Sequence, residues 1–175
     1  KLIDTAIPYA NDALREGERM NMWDLHAGTR RDLKVIFAPV AGAYIKELMV
    51  RDPYCGLERN RKNLKQFLNE IKGLADTIEH VELHCKEGLD RDGDLEFRLD
   101  IERHVDDLIT SIGIEKRDVT VAPMKGGGRT FHDREVDITT VSPDGCETTH
   151  RFFLTGGIDY LMNDRTETRV FYVTL

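Results

Sequence analysis

Hydrophobic and polar positions along the chain alternate in some stretches and recur at helical spacing in others. Residues 32–38 predict a short helix, stopped by Pro39 and Gly42. Residues 44–51 then read as a strand that ends at Asp52-Pro53-Tyr54. From 57 to 75, Leu64, Phe67, Leu68 and Ile71 form the stripe of an amphipathic helix. Residues 80–85 alternate and predict a second strand, with Val81, Leu83 and Cys85 facing inward. Asp94 is the expected N-cap of the next helix, which runs through Leu95, Leu99, Ile101, Val105, Leu108, Ile109 and Ile112 to Gly113. A short third strand covers 118–122. Beyond Gly126-Gly127-Gly128, a strand over 131–141 turns at Ser142-Pro143-Asp144-Gly145 and returns over 148–154, and a last strand covers 166–175.

Strand, helix, strand, helix, strand asks for parallel pairing with crossover helices, and the hairpin that follows adds antiparallel strands. The expected fold class is therefore α/β, a mixed β-sheet flanked by helices. Residues 1–31 differ in texture, with a short helix ending near Gly17 and a polar, Met-rich stretch around Trp23. They are expected to form an N-terminal arm that packs on the domain or on a partner, leaving 32–175 as the domain proper.

Composition narrows the class. The chain has 175 residues, 40% of them hydrophobic, which is enough for one packed core and argues against disorder. It opens at Lys1 directly into domain-like sequence, the expected look of a module from a larger protein whose other domains act beside it. No apolar run reaches the ~18 to 20 residues of a membrane-spanning helix, and no signal-peptide pattern is present. Cys55, Cys85 and Cys146 are widely spaced and odd in number, which suits reduced thiols in the cytoplasm. The net charge of −7 weighs against generic binding to nucleic acid or to an anionic membrane unless a local patch overrides it.

The strongest local feature is Thr130-Phe131-His132-Asp133-Arg134-Glu135-Val136-Asp137-Ile138. Strand alternation places His132, Arg134, Val136 and Ile138 on one face, while Asp133, Glu135 and Asp137 share the other, which must be wet or paired. Val136 and Ile138 mark the first face as core-directed, so His132 and Arg134 lie at its mouth, about 6 to 7 Å apart along the strand. A guanidinium forks onto phosphate oxygens, and an imidazole can donate to phosphate or attack phosphorus. The bland alternative is an internal His and Arg satisfied by a buried carboxylate such as Asp52.

Residues 131–138, Phe-His-Asp-Arg-Glu-Val-Asp-Ile, resemble the His-Asp-Arg-Glu strand of the phospholipase D-like C-terminal domain family of MIT-domain-containing proteins. Leu48-Met49-Val50-Arg51-Asp52-Pro53-Tyr54 resembles that family's hydrophobic strand ending in Asp-Pro-Tyr, and Gly156-Gly157-Ile158-Asp159-Tyr160 its Gly-Leu-Asp-Tyr segment after the hairpin. The three matches fall in the family's order and span 33–173. The resemblance implies a phospholipase D-like fold, a homodimer, and binding of phosphoinositide membranes rather than catalysis, in a cytoplasmic and membrane-peripheral setting. The family's MIT domain has no counterpart in these residues, so its partners are not carried over.

Phospholipase D enzymes use His-x-Lys, an Asp after four further residues, and a following Gly-Ser and Asn; two such motifs meet, one histidine attacking phosphorus and the other protonating the leaving group. Here Arg134 stands for the lysine, Thr139 stands where the Asp would be, and Thr155-Gly156-Gly157 offers no equivalent of the Gly-Ser and Asn. A composite site would require two chains. The preferred expectation is a non-catalytic dimerisation and binding module for a phosphate-bearing ligand (lipid headgroup or nucleic acid) or a protein partner. The alternative is a phosphodiesterase or nuclease with His132 as nucleophile at a homodimeric site. The ligand-binding set is His132, Arg134, Asp52 and Tyr54, with Lys125 and Arg129 at the rim of the glycine loop; that loop reads by default as a flexible connection.

No motif asks for a metal or a cofactor. His80-Val81-Glu82-Leu83-His84 has the wrong order and a strand setting for a zinc-protease helix. Asp90-Arg91-Asp92-Gly93-Asp94 has its glycine misplaced for a calcium loop, and Gly126-Gly127-Gly128-Arg129 lacks the Gly-Lys-Ser/Thr ending and the helix of a phosphate loop. Arg59-Asn60-Arg61-Lys62-Asn63-Leu64-Lys65 is the densest basic stretch, and a solvated helix face is its default reading.

Overall fold

The computed structural model of the protein describes residues 21–85, 97–110, 112–123 and 134–175. Among them are seven strands, β1 (Asn21–Leu25), β2 (Tyr44–Arg51), β3 (Thr77–Cys85), β4 (Val119–Pro123), β5 (Glu135–Val141), β6 (Glu147–Leu154) and β7 (Thr168–Thr174). Four helices accompany them, α1 (Leu33–Ile36), α2 (Glu58–Leu74), α3 (Phe97–Ile109) and α4 (Gly157–Leu161). All seven strands join one sheet in the order β1-β7-β6-β5-β2-β3-β4. β2, β3 and β4 are parallel, with α2 and α3 as their crossovers, and β5 runs antiparallel to β2. β6, β7 and β1 extend the antiparallel half. The expected α/β class with a mixed sheet is what the chain adopts.

Local chemistry explains the elements. The Asp32 side chain accepts from the Lys34 amide at 3.1 Å and caps α1, and a 3-10 turn containing Pro39 follows it. In β2 a register shift between Ile45 and Glu47 lets Ile45 and Leu48, three positions apart, both reach the core. α2 buries Leu64, Phe67, Leu68 and Ile71, the stripe that predicted it. In β3, Val81, Leu83 and Cys85 are fully buried, as alternation predicted. The β5–β6 turn closes with Gly145 at φ 84°, its amide donating to the Ser142 carbonyl at 2.8 Å.

Two elements go beyond the sequence reading. Residues 21–25, placed there in the arm, form β1 at the sheet edge, with Trp23 and Leu25 packed against the core. The stretch after β6 coils into α4 rather than remaining a loop.

One face of the sheet supplies Ile45, Leu48, Val50, Val81, Leu83, Val136, Ile138, Phe152 and Val170 to a continuous core. The helical layer closes on it through Phe37, whose ring lies 5.7 Å from Phe67 of α2 and 4.5 Å from Phe152 of β6. The opposite face carries Met49, Arg51, Glu82, His84, Glu135, Arg151 and Phe153, all half-buried. Cys55 and Cys85 are buried and Cys146 is exposed, none of them in a disulfide. Among the described residues no helix is long and apolar enough to cross a membrane.

Candidate functional site

Where β2 meets β5, the sheet changes from parallel to antiparallel, so the carboxyl end of one strand adjoins the amino end of the other. Arg51 and Glu135 are opposite partners there. Asp52 and Arg134, the residues just beyond each strand, therefore share one rim of the sheet. Leu154 and Thr168 bring β6 and β7 to the same rim.

Asp52 is almost fully buried, at 2% exposure, and its carboxylate is engaged by backbone. Oδ1 accepts from the Tyr54 amide at 2.9 Å, closing a turn over Pro53, and Oδ2 accepts from the Ile158 amide at 2.9 Å. Its own amide donates to the His84 carbonyl at 3.0 Å. One side chain thus ties the end of β2 to α4. Burial pushes its pKa above the ordinary carboxyl value, and the two amides and the nearby Arg134 only partly offset this.

Arg134 crosses the site. Its Nη1 donates to the Thr155 carbonyl at 3.1 Å, and its guanidinium carbon lies 5.5 Å from the centroid of the Tyr54 ring. Its Nε is buried and has no hydrogen-bond partner among the described residues. Tyr54 is held in turn by Asn60, whose side-chain amide donates to the Tyr54 carbonyl at 2.9 Å.

The glycine pair permits this closeness. Gly157 has φ 79°, and a Cβ there would lie 2.5 Å from Asp52 Oδ2 and 2.8 Å from Arg134 Cδ. A Cβ on Gly156 would lie 2.5 Å from the Tyr160 Cβ. Two residues past Gly157, Asp159 is half-buried and senses the same charges: burial first, then the Asp52 carboxyl, push its pKa up, while Arg134 pulls it down. Asp159 carries no signal in the sequence beyond its place in the Gly156-Gly157-Ile158-Asp159-Tyr160 match, because the charges that act on it, Asp52 and Arg134, are distant along the chain.

Of the expected site residues, Asp52, Tyr54 and Arg134 converge on the rim, whereas His132, Lys125 and Arg129 lie outside the described residues. Of Asp133, Glu135 and Asp137, expected to be wet or paired, Glu135 and Asp137 are paired and Asp133 lies outside the described residues. Arg151 grips Asp137 through two bonds of 2.7 and 2.6 Å, and Arg51 bonds Glu135 and lies 3.4 Å from Asp137. Thr139 shares a 3.1 Å hydroxyl contact with Thr149.

In the basic stretch on α2, Arg61 pairs with Glu58 of the same helix at 3.7 Å and Lys65 with Asp107 of α3 at 2.9 Å. His84 Nε2 lies 2.6 Å from Glu82, and His80 contacts Thr120 at 3.1 Å. No group of metal-binding side chains occurs among the described residues. Neither a scan against models of known families nor a search of curated proteins returns a match to the chain.

Proposed function

We propose that the protein is a non-catalytic, phospholipase D-like binding module of a larger protein, homodimeric, which takes a phosphate-bearing ligand at Arg134. The observation that supports this is the state of the Arg134 guanidinium. One nitrogen bonds a carbonyl, the guanidinium carbon lies over the Tyr54 ring, and Nε has no acceptor among the described residues. A forked donor with spare capacity at a sheet rim suits phosphate oxygens. The overall charge of −7 opposes broad attraction to anionic surfaces, so contact with a lipid headgroup at a cytoplasmic membrane would run through this local site.

Catalysis is the weaker reading for chemical reasons. The motif departs from that of the enzymes at three places: Arg134 stands for the lysine, Thr139 stands where the Asp would be, and Thr155-Gly156-Gly157 offers no Gly-Ser and Asn.

Titration of the protein with inorganic phosphate, and sedimentation with vesicles containing phosphoinositide, test the proposal. Arg134→Ala, and the double change with His132→Ala, are expected to weaken binding roughly tenfold or more, the scale of a charge-assisted bond. The far-UV spectrum should be unchanged. Equal binding by the double variant would sink the reading. Metal-independent hydrolysis of bis-para-nitrophenyl phosphate, lost in His132→Ala, would instead establish the phosphodiesterase.

A further inference from the structure

We infer that the exposed face of α2 and the cleft between it and α1 form a docking groove for an acidic peptide segment with one apolar anchor. Its lining residues are not those of the Arg134 rim, so the inference goes beyond the phosphate reading.

Three elements build the groove. A cleft of about 520 Å³ lies between the start of α1, the outer face of α2 and the end of α4. A shallower hollow of about 390 Å³ lies along α2 itself. Gln66 and Glu70 line both, so the two are continuous across the helix. The cleft alone has the volume of a specific ligand site. Its wall is fixed by backbone. Arg31 bonds the Thr166 carbonyl and donates to the His26 carbonyl at 3.1 Å, and the Gly28 amide donates to the Asp164 carbonyl at 2.7 Å. The loop entering α1 is thereby tied to the loop leaving α4. A preformed wall spares a ligand the cost of ordering it.

Charge sets the class of partner. Arg30, Arg31 and Lys34 line the cleft, and Lys62 and Lys65 line the hollow. Against these five cations stand Asp32 and Glu70, and Asp107, which pairs with Lys65 at 2.9 Å. The groove is thus locally basic in a chain whose total charge is −7. A local field of that sign draws acidic partners and orients them.

The groove's other groups favour a peptide over a phosphate polymer. Glu70 sits where the cleft and the hollow meet, and an unbroken row of phosphates would run against it. A peptide spaces its carboxylates and offers backbone N–H groups between them, which Glu70 can accept, while the Gln66 amide can both donate and accept. Met162 is half-buried in the cleft, with the buried Leu33 and Leu161 on the same lining. A thioether side chain adapts readily to one apolar residue of a partner.

Fluorescence anisotropy with the full chain and fluorescein-labelled Glu-Asp-Glu-Leu-Asp-Glu-Asp tests the groove. A Kd on the order of 10 μM is expected. Arg30→Glu combined with Lys34→Glu, and separately Lys62→Glu, should each weaken binding about tenfold or more at low salt. All three side chains are exposed, so thermal midpoints should hold. Replacing the leucine of the peptide by glycine should cost about tenfold, the worth of a partly buried apolar side chain. Arg117→Glu, exposed and ahead of β4, makes the same change in net charge as Lys62→Glu and should leave binding unchanged.

Absence of peptide binding, or equal losses in Arg117→Glu and Lys62→Glu, would overturn the groove. Equal affinity for the glycine peptide would overturn the apolar anchor. Tighter binding of decathymidylate or of phosphatidylserine vesicles, lost in the same groove variants, would replace the peptide by a nucleic acid or a membrane.

Discussion

Gly157 and Gly145 have nearly the same backbone, φ 79° and 84°, but different surroundings. Nothing lies within 4 Å of where a Cβ on Gly145 would stand, whereas one on Gly157 meets Asp52 and Arg134. Gly145→Ala is expected to cost about 1 kcal/mol, the backbone term alone. Gly157→Ala should cost about 2 to 4 kcal/mol, because it must also displace a buried carboxylate from the Ile158 amide. Urea unfolding of the two variants measures the difference, and equal losses would show that close approach at Gly157 carries no energy. The requirement for glycine at 157 could not be read from the sequence. A glycine pair after a strand signals a loop, and the atoms that crowd it belong to residues 52 and 134.

Across β5, β6 and β7 a polar chain threads the edge of the core: Thr140, His150, Tyr172 and Thr174, linked by contacts of 3.2, 2.9 and 2.8 Å. The imidazole stacks on the Tyr172 ring with centroids 6.0 Å apart. Burial lowers the His150 pKa below its ordinary 6.5. On acidification the unfolded chain takes up the proton first, so stability falls as pH drops below about 6.5 and levels off beneath the lowered folded value. Asp52 and Asp159 act in the opposite sense: their raised values mean that stability is lost as pH rises from the unfolded 3.8 through the folded value. His150→Gln is therefore expected to flatten the decline between about pH 7 and pH 5.5 in chemical denaturation, and an unchanged slope would count against this assignment. At this scale much was legible. Alternation located β3 and the inward faces of β3 and β5, and Pro143-Asp144-Gly145 located the hairpin turn. β1 escaped because only Trp23 and Leu25 of its five residues face inward, too few to show a period. α4 escaped because five residues, the first of them Gly157, show no helical stripe.

Over the whole molecule, two compact halves meet at the β2–β5 seam. The parallel half is built from successive strand–helix–strand units, and the antiparallel half from neighbouring strands. The strand order was only partly legible. Crossover rules pair β2 with β3 and β3 with β4, but no local pattern states that β5 returns to β2 rather than to β4. The candidate site was legible as a set of names, Asp52, Tyr54 and Arg134. Its geometry depends on that return, and Asp159 joins it only through tertiary proximity. Arg51 and Glu135 face each other across the seam from 84 positions apart, the kind of closure that costs chain entropy and comes late in folding. Tyr54 belongs to one half and Arg134 to the other, so their stacking and the Asp52–Ile158 bond exist only after docking. Gly157→Ala is accordingly expected to raise the unfolding rate and leave the folding rate nearly unchanged in stopped-flow chevrons, with φ close to zero. A slowed folding limb would place the seam in the nucleus instead. The rim is thus a clasp as well as a candidate site, and a ligand seated on Arg134 would lengthen the lifetime of the folded chain.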